Sequence, residues 1–386
     1  MGQVAQRPQT VLTCAEGYTT TAELVHRLVE MEEGMAMSDT QTAVRADSAF
    51  GGSVRLEPYD QGGGLPLFVH AEDDDLRNDV DAAVAWVHRY QDTLDAIATD
   101  VGAVVLRGFA LRDTDAFDRA VSNYPEMEFG YTAGATPRSQ VKGRAYEATK
   151  TPGHYRIPLH QEMSYLPDYP TRLAFFCVQA PETGGGTLIG DARRFDGMVP
   201  RAMWDALESR GGVRYVRSFR EPGRSTGDDY LDITHRTWAD AFGTDTVAGV
   251  EEECRKMGLE WEWQPNGSIS ISNVLPGFID HPITGKRIWF NQMSIQVMNR
   301  HTRAPEVMTK VEACYGPGNP RPYDARFADG SPIPMDLLEP LYDANFAVEV
   351  EFPWQNGDLM LLDNIHTFHG RSPFTGHRDV QVALLA

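Results

Sequence analysis

Apolar residues fall at Val80, Ala83, Val84, Val87, Leu94 and Ile97. These intervals of three and four put a stripe on one helix face, and the acidic residues in 72–81 suit the positive N-terminal end of such a helix. VGAVVLRGF follows, an apolar run bounded by glycine that predicts a buried strand. Asp113 is placed to cap a short helix running to about residue 123. From Arg172 onward the pattern changes. RLAFFCV, GTLIG, GVRYV, LEWEW, GSISI, KRIWF, FAVEV, DLMLLDN and DVQVALLA are short, β-rich and separated by Gly, Pro or Asn. Strands of this kind predict a mainly β fold with helical insertions, built on a jelly-roll (double-stranded β-helix) core. Helical patterning at 200–210 and 234–257 puts a helical insert at about 194–260 within one jelly-roll domain covering 51–386. Residues 1–50 carry one candidate helix, at 21–33, and are otherwise expected to form a mobile N-terminal extension.

Composition removes several classes of function. Hydrophobic residues make up 41% of 386, enough for a large core and too many for a disordered chain. No window approaches the roughly 20 apolar residues of a membrane-spanning helix, and the first segment lacks the basic start and apolar centre of a secretion signal. A cytoplasmic protein with no membrane partner is expected. Lys+Arg 35 against Asp+Glu 55 leaves a net charge of −20, which disfavours nucleic acid. Cys14, Cys177, Cys254 and Cys314 form no C-x-x-C pair and read as reduced thiols. A Walker-type phosphate loop, a strand-linked G-x-G-x-x-G and a G-x-S-x-G elbow are all absent, which turns the search toward metal sites.

His-x-acid is half of a 2-His-1-carboxylate triad, three ligands on one face of Fe(II) with the other face open. On a strand, residues two apart point to the same side, so this spacing can seat two ligands on one ion. The motif occurs at His70/Glu72, His160/Glu162 and His377/Asp379. The first lies in an acidic surface run, and the last stands too near the C-terminus for a later histidine to follow. His160/Glu162 follows the apolar IPL and precedes the strand series. A second histidine then arrives in DLMLLDNIHTFHGRSPFTGHRDVQVALLA as His366 or His369. These sit three apart and face opposite sides of a strand, so only one can reach the metal. Arg378 could hold a dicarboxylate through a bidentate pair.

IPLHQEMSYLPDYPTRLAFFCVQAPETGGGTLIGDARRF, HPITGKRIWFNQ and LLDNIHTFHGRSPFTGHRDV together resemble the TauD/TfdA family of Fe(II)/2-oxoglutarate-dependent dioxygenases, most of all the branch of the syringomycin aspartyl hydroxylase of antibiotic biosynthesis. The resemblance runs from about Leu106 to the C-terminus. It implies Fe(II) held by His160, Glu162 and His369, and 2-oxoglutarate held by Thr187 and Arg378. It also implies a reaction in which O2 and 2-oxoglutarate give succinate, CO2 and an oxidised C–H bond. Halogenating relatives replace the acidic ligand by Gly or Ala. Glu162 keeps it, which favours hydroxylation.

The expected substrate is a small amino acid or amino-acid-derived natural-product intermediate, free or bound to a carrier protein. Desaturation or cyclisation at the same metal site is the alternative reaction, and a non-catalytic jelly-roll binding protein the alternative class. Gln161, Met163 and Tyr165 flank the ligand motif as candidate pocket walls, Asn291 in IWFNQ is another, and Arg371 suits either substrate binding or a structural pair. Arg210, Arg214, Arg217, Arg220 and Arg224 crowd one segment of the acidic chain. A solvated face is the ordinary reading of such a run; the sharper one is a patch steering an anionic substrate or a phosphopantetheine-bearing carrier.

Overall fold

The computed structural model describes residues 50–134, 138–315 and 320–386; the expected extension, its helix at 21–33 and Cys14 lie outside them. Residue 50 belongs to the core, because Phe50 is buried and stacks on Trp86. The larger of two facing sheets has eight strands, in the order Val54–Pro58, Leu67–Ala71, Ala103–Arg107, Leu359–Asp363, Arg172–Gln179, Asp379–Leu385, Ala145–Glu147, Gln140–Lys142. The smaller has four, in the order Glu349–Phe352, Thr187–Asp191, Thr367–Arg371, Ile157–His160. Pairing is antiparallel except between Leu67–Ala71 and Ala103–Arg107. The helices Asp74–Asn78, Val80–Arg89 and Gln91–Val101 provide the crossover that this parallel pair requires.

Strand Leu359–Asp363 shows why the apolar runs are unbroken. Met360 and Leu362 enter the core between the sheets, while Leu359 and Leu361 pack under the helices with Leu94, Ile97 and Phe117. Both faces are covered, so no polar alternation is needed. Asp113 caps the helix Thr114–Ala120 by accepting from Ala116 N–H at 2.9 Å, as its sequence position suggests.

Two expectations need correction. FAVEV is not one strand: Phe346 to Val348 end the helix Met335–Val348, and Glu349 begins the strand Glu349–Phe352. The helix continues because Leu338, Leu341, Tyr342, Ala344 and Val348 bury one face over several turns, outweighing the local β-branched signal. The insert is also larger and more mixed than a helical segment at 194–260. Thr187–Asp191 pairs directly with Glu349–Phe352, and the residues between hold helices plus a separate four-stranded sheet, Glu260–Trp263, Ile269–Leu275, Val213–Phe219, Tyr323–Phe327. Its strands are drawn from positions far apart in the chain, so a local pattern cannot announce the sheet.

Two buried histidines set an acid limit on stability. Burial, with Arg220 nearby, pushes His235 down to about 4, and burial likewise pushes His366 down to about 4. Both are neutral above their ordinary value near 6.5, in the folded and the unfolded chain alike. Below it the unfolded chain takes up protons that the folded chain refuses, so stability falls between about pH 6.5 and 4 and then levels. The ceiling is about 3 kcal/mol per histidine. The thermal midpoint is expected to fall over that window, and His235→Asn should remove part of the slope; a flat profile in the wild-type protein would refute the assignment.

Candidate active site

Register brings the two histidines together. His160 ends Ile157–His160 and sits directly opposite His369 of Thr367–Arg371, with ring centroids 4.2 Å apart. Phe175 of the larger sheet lies 5.2 Å from the His369 ring and closes the site from the facing layer. Gly370 makes the close pairing feasible, since a Cβ there would lie 2.5 Å from the Ile157 carbonyl oxygen.

Glu162 stands in the turn after the first strand. Met163, which follows it, has φ +58°, a left-handed conformation that L side chains rarely adopt. Neighbours hold that turn in place. Asn364 accepts from the Glu162 N–H at 2.7 Å and donates to the Glu162 carbonyl at 3.0 Å and the Pro170 carbonyl at 2.7 Å. Gln161 donates to the Trp289 and Ile365 carbonyls at 3.0 and 2.7 Å. Nothing in the sequence near Asn364 announces this clamp, because the residues it ties are about 200 positions away.

His160 Nε2 and His369 Nε2 lie 4.0 and 3.5 Å from Glu162 Oε2. All three ligand atoms fall within 4.8 Å of one another. His160 Nδ1–H donates to the Pro158 carbonyl at 2.9 Å, which leaves the Nε2 lone pair facing the site. Burial, with His369 alongside, holds His160 down at about 3, so the ring is neutral. Burial alone would raise the Glu162 carboxyl, but Arg138 at 3.1 Å and the two histidines together outweigh it and hold the group at about 2. Two imidazoles and a carboxylate converge from two neighbouring strands and the turn that follows the first of them, a donor set that suits a divalent first-row metal. Arg138, missed in the sequence, has no motif around it.

A cavity of about 570 Å³ opens from this point. Thr187 and Arg378 line it, as do Tyr165 and Arg371. Trp354 Nε1–H donates to Thr187 Oγ1 at 2.9 Å, leaving the threonine proton available to an incoming oxygen. Arg378 donates through Nε to the Gly185 carbonyl at 2.9 Å, which holds the guanidinium in place. Burial and the nearby Arg371 push Arg378 down to about 10, so it stays cationic at neutral pH. Gly185 has φ +66°, and a Cβ there would lie 2.9 Å from Phe374 Cβ and 3.2 Å from Arg378 Cδ, so glycine is needed for both conformation and space.

Other candidates have different work. Arg371 donates to the Thr151, Pro152 and Tyr155 carbonyls at 2.9, 2.8 and 2.7 Å, tying a loop to the strand. Gln161 and Met163 are fully buried and lie outside the main cavity wall. Asn291 donates to the Gly277 carbonyl at 2.6 Å and accepts from Met293 N–H at 3.1 Å. The arginine run is no patch. Arg217 is buried over the Tyr165 ring, and Arg220, Arg214, Arg210 and Arg224 pair with Asp232, Glu260, Asp329 and Glu221.

His281, Asp363 and His366 form a second buried cluster. Here three of the four ring nitrogens are committed. His281 Nδ1 accepts from the Ile283 and Thr284 N–H groups, each at 3.2 Å, so its Nε2–H donates to Asp363 at 3.1 Å. Asp363 also accepts from Arg172 at 2.9 Å and from the Ile365 and His366 N–H groups at 3.0 Å. His366 Nδ1–H donates to the Thr99 carbonyl at 2.8 Å. Only one imidazole lone pair remains, and the cluster works as a structural brace.

Residues 69–384 match the family model described as taurine catabolism dioxygenase TauD, TfdA family. The chain belongs to this family. It is therefore a 2-oxoglutarate-dependent dioxygenase using Fe(II) and O2. Among curated relatives, dapdiamide synthesis protein DdaC of Enterobacter agglomerans is 29% identical over 293 residues, 76% of this chain and 84% of that protein. A clavaminate synthase-like protein of Arabidopsis thaliana is 29% identical over 302 residues, 75% of this chain and 83% of that one. Among solved structures, PvcB from Pseudomonas aeruginosa aligns with TM-score 0.49 and 16% identity over 86% of this chain and 91% of its own. No helix among the described residues is long and apolar enough to cross a membrane.

Proposed function

We propose that the protein is an Fe(II)/2-oxoglutarate-dependent hydroxylase acting on an unactivated C–H bond of an amino acid or amino-acid-derived intermediate of natural-product synthesis. The observation that carries this reading is the convergence of His160, Glu162 and His369 at a cavity that Thr187 and Arg378 also line. Fe(II), when bound, would supply O2 activation and C–H oxidation there. His160 and His369 would hold the ion through their ring nitrogens, and Glu162 fills the carboxylate position that a halogenating site leaves vacant. Arg138, with the two histidines, keeps that carboxylate ionised. Arg378 pairs with the distal carboxylate of 2-oxoglutarate, the Thr187 hydroxyl contacts the same molecule, and Phe175 excludes water from the reacting end. The relation to a dapdiamide synthesis protein supports a role in biosynthesis. Four arginines at 210–224 are paired with carboxylates and Arg217 is buried, so this run does not argue for a carrier-bound substrate.

The test is succinate formation from 2-oxoglutarate by the Fe(II)-loaded protein, first without added substrate and then with amino acids. Arg378→Gln is expected to raise the KM for 2-oxoglutarate by about tenfold or more, with a smaller change in kcat, since a charge-assisted pair is lost. An unchanged KM would remove Arg378 from this role. A wild-type protein that makes no succinate at all would overturn the catalytic reading.

A further inference from the structure

A set of buried amides in the same cavity has no task in binding iron or 2-oxoglutarate. Gln292 and Gln296, on and just before the helix Met293–Gln296, are each 4% exposed, and both line the cavity. Gln292 Nε2 donates to the Gln161 main-chain carbonyl, an atom that can only accept. That bond fixes which end of Gln292 is nitrogen. Its Oε1 therefore accepts from Gln296 Nε2, at 3.2 Å. The orientation passes along, and Gln296 Oε1 ends the series buried with no partner. Turning the Gln296 amide over brings no relief, because two carbonyl oxygens would then face each other. Asn345 Oδ1, from the helix Met335–Val348, is also buried without a partner and lines the same cavity.

A buried carbonyl oxygen with no donor is unfavourable, and such groups call for a ligand or water to complete them. The acidic residues of the wall do not compete strongly for a cation. Glu162 is engaged by Arg138, Glu349 by Arg156, and Glu306 is solvent-exposed. We propose that Gln296, assisted by Asn345, determines substrate specificity by accepting a hydrogen bond from an N–H group, so that the substrate is a small molecule bearing an ammonium or a primary amide. The inference rests on the oxygenase reading of this cavity and adds the recognised group to it.

The test uses the full chain with Fe(II) and 2-oxoglutarate under anaerobic conditions, with binding measured by titration calorimetry. The probes are L-amino acids against their desamino acids, and amino-acid primary amides against the matching methyl esters. In the wild-type protein the N–H-bearing member of a pair is expected to bind about tenfold tighter or more. Gln296→Met should shrink that ratio below about twofold. Gln296→Glu keeps an acceptor and should restore it, strengthening ammonium ligands over neutral amides. The proposal is overturned if Gln296→Met leaves the ratio unchanged, or if no N–H-bearing probe outbinds its partner. Should Gln296→Met fail to fold, the Glu variant decides: an unaltered balance between ammonium and amide probes overturns the proposal. Succinate formed by the wild-type protein without any probe reports separately on the oxygenase reading, so the two failures are distinguishable.

Discussion

Alanine at His369 is expected to end 2-oxoglutarate turnover, a loss of about a thousandfold or more, while the fold survives. His369 Nδ1 has no hydrogen-bond partner, so removing the ring costs packing against Phe175 and His160 and the 3.5 Å contact of Nε2 with Glu162. Glu162→Ala is a less clean test, because it strands the Arg138 guanidinium in a buried site at a cost of about 3–5 kcal/mol. Succinate formation, iron per chain and the thermal midpoint should be measured together. Lost turnover and lost iron at a nearly unchanged midpoint is the expected pattern. Wild-type levels of iron and turnover in His369→Ala would remove this histidine from the metal set.

The opposite pattern is expected at the second cluster. Asp363→Asn should destabilise the protein by about 3–5 kcal/mol, since Arg172 loses its buried counter-charge. The amide also has one acceptor oxygen to serve donors that now reach Asp363 from Arg172, His281 and two main-chain N–H groups. Metal stoichiometry should stay at one ion per chain, measured on protein that remains folded at low temperature. Two ions in the wild-type protein, falling to one in Asp363→Asn, would make the cluster a metal site instead of a brace.

These two experiments separate features that look alike in the sequence. His366 and His369 lie in one short segment, both buried. What distinguishes them is distant. The Thr99 carbonyl, 267 positions earlier, takes the His366 ring, and His160 stands opposite His369 across a strand pair. The run of arginines misleads for the same reason, since Arg217 and Arg220 turn inward to groups that the local pattern does not contain. Arg138 and Asn364 have no local signature, because each acts through Glu162, 24 and 202 positions away. The orientation of Gln296 is set through Gln292 by the Gln161 carbonyl, 131 positions from Gln292.

The amino-acid sequence by itself determined the short-range elements. They include the helical stripe from Val80, the unbroken strand Leu359–Asp363, the His-x-acid pair at a strand end and the glycine turn before Thr187. The structure nevertheless divides that stripe at Tyr90 into the helices Val80–Arg89 and Gln91–Val101. Periodicity, capping and turn conformation involve neighbours within a few residues, so they can be read along the chain. Tertiary structure alone decided which histidine faces Glu162, which arginines remain free and where the buried amide series ends. Those outcomes depend on strand register and on hydrogen-bond partners often more than a hundred residues apart, where a one-residue slip would turn every side chain to the other face.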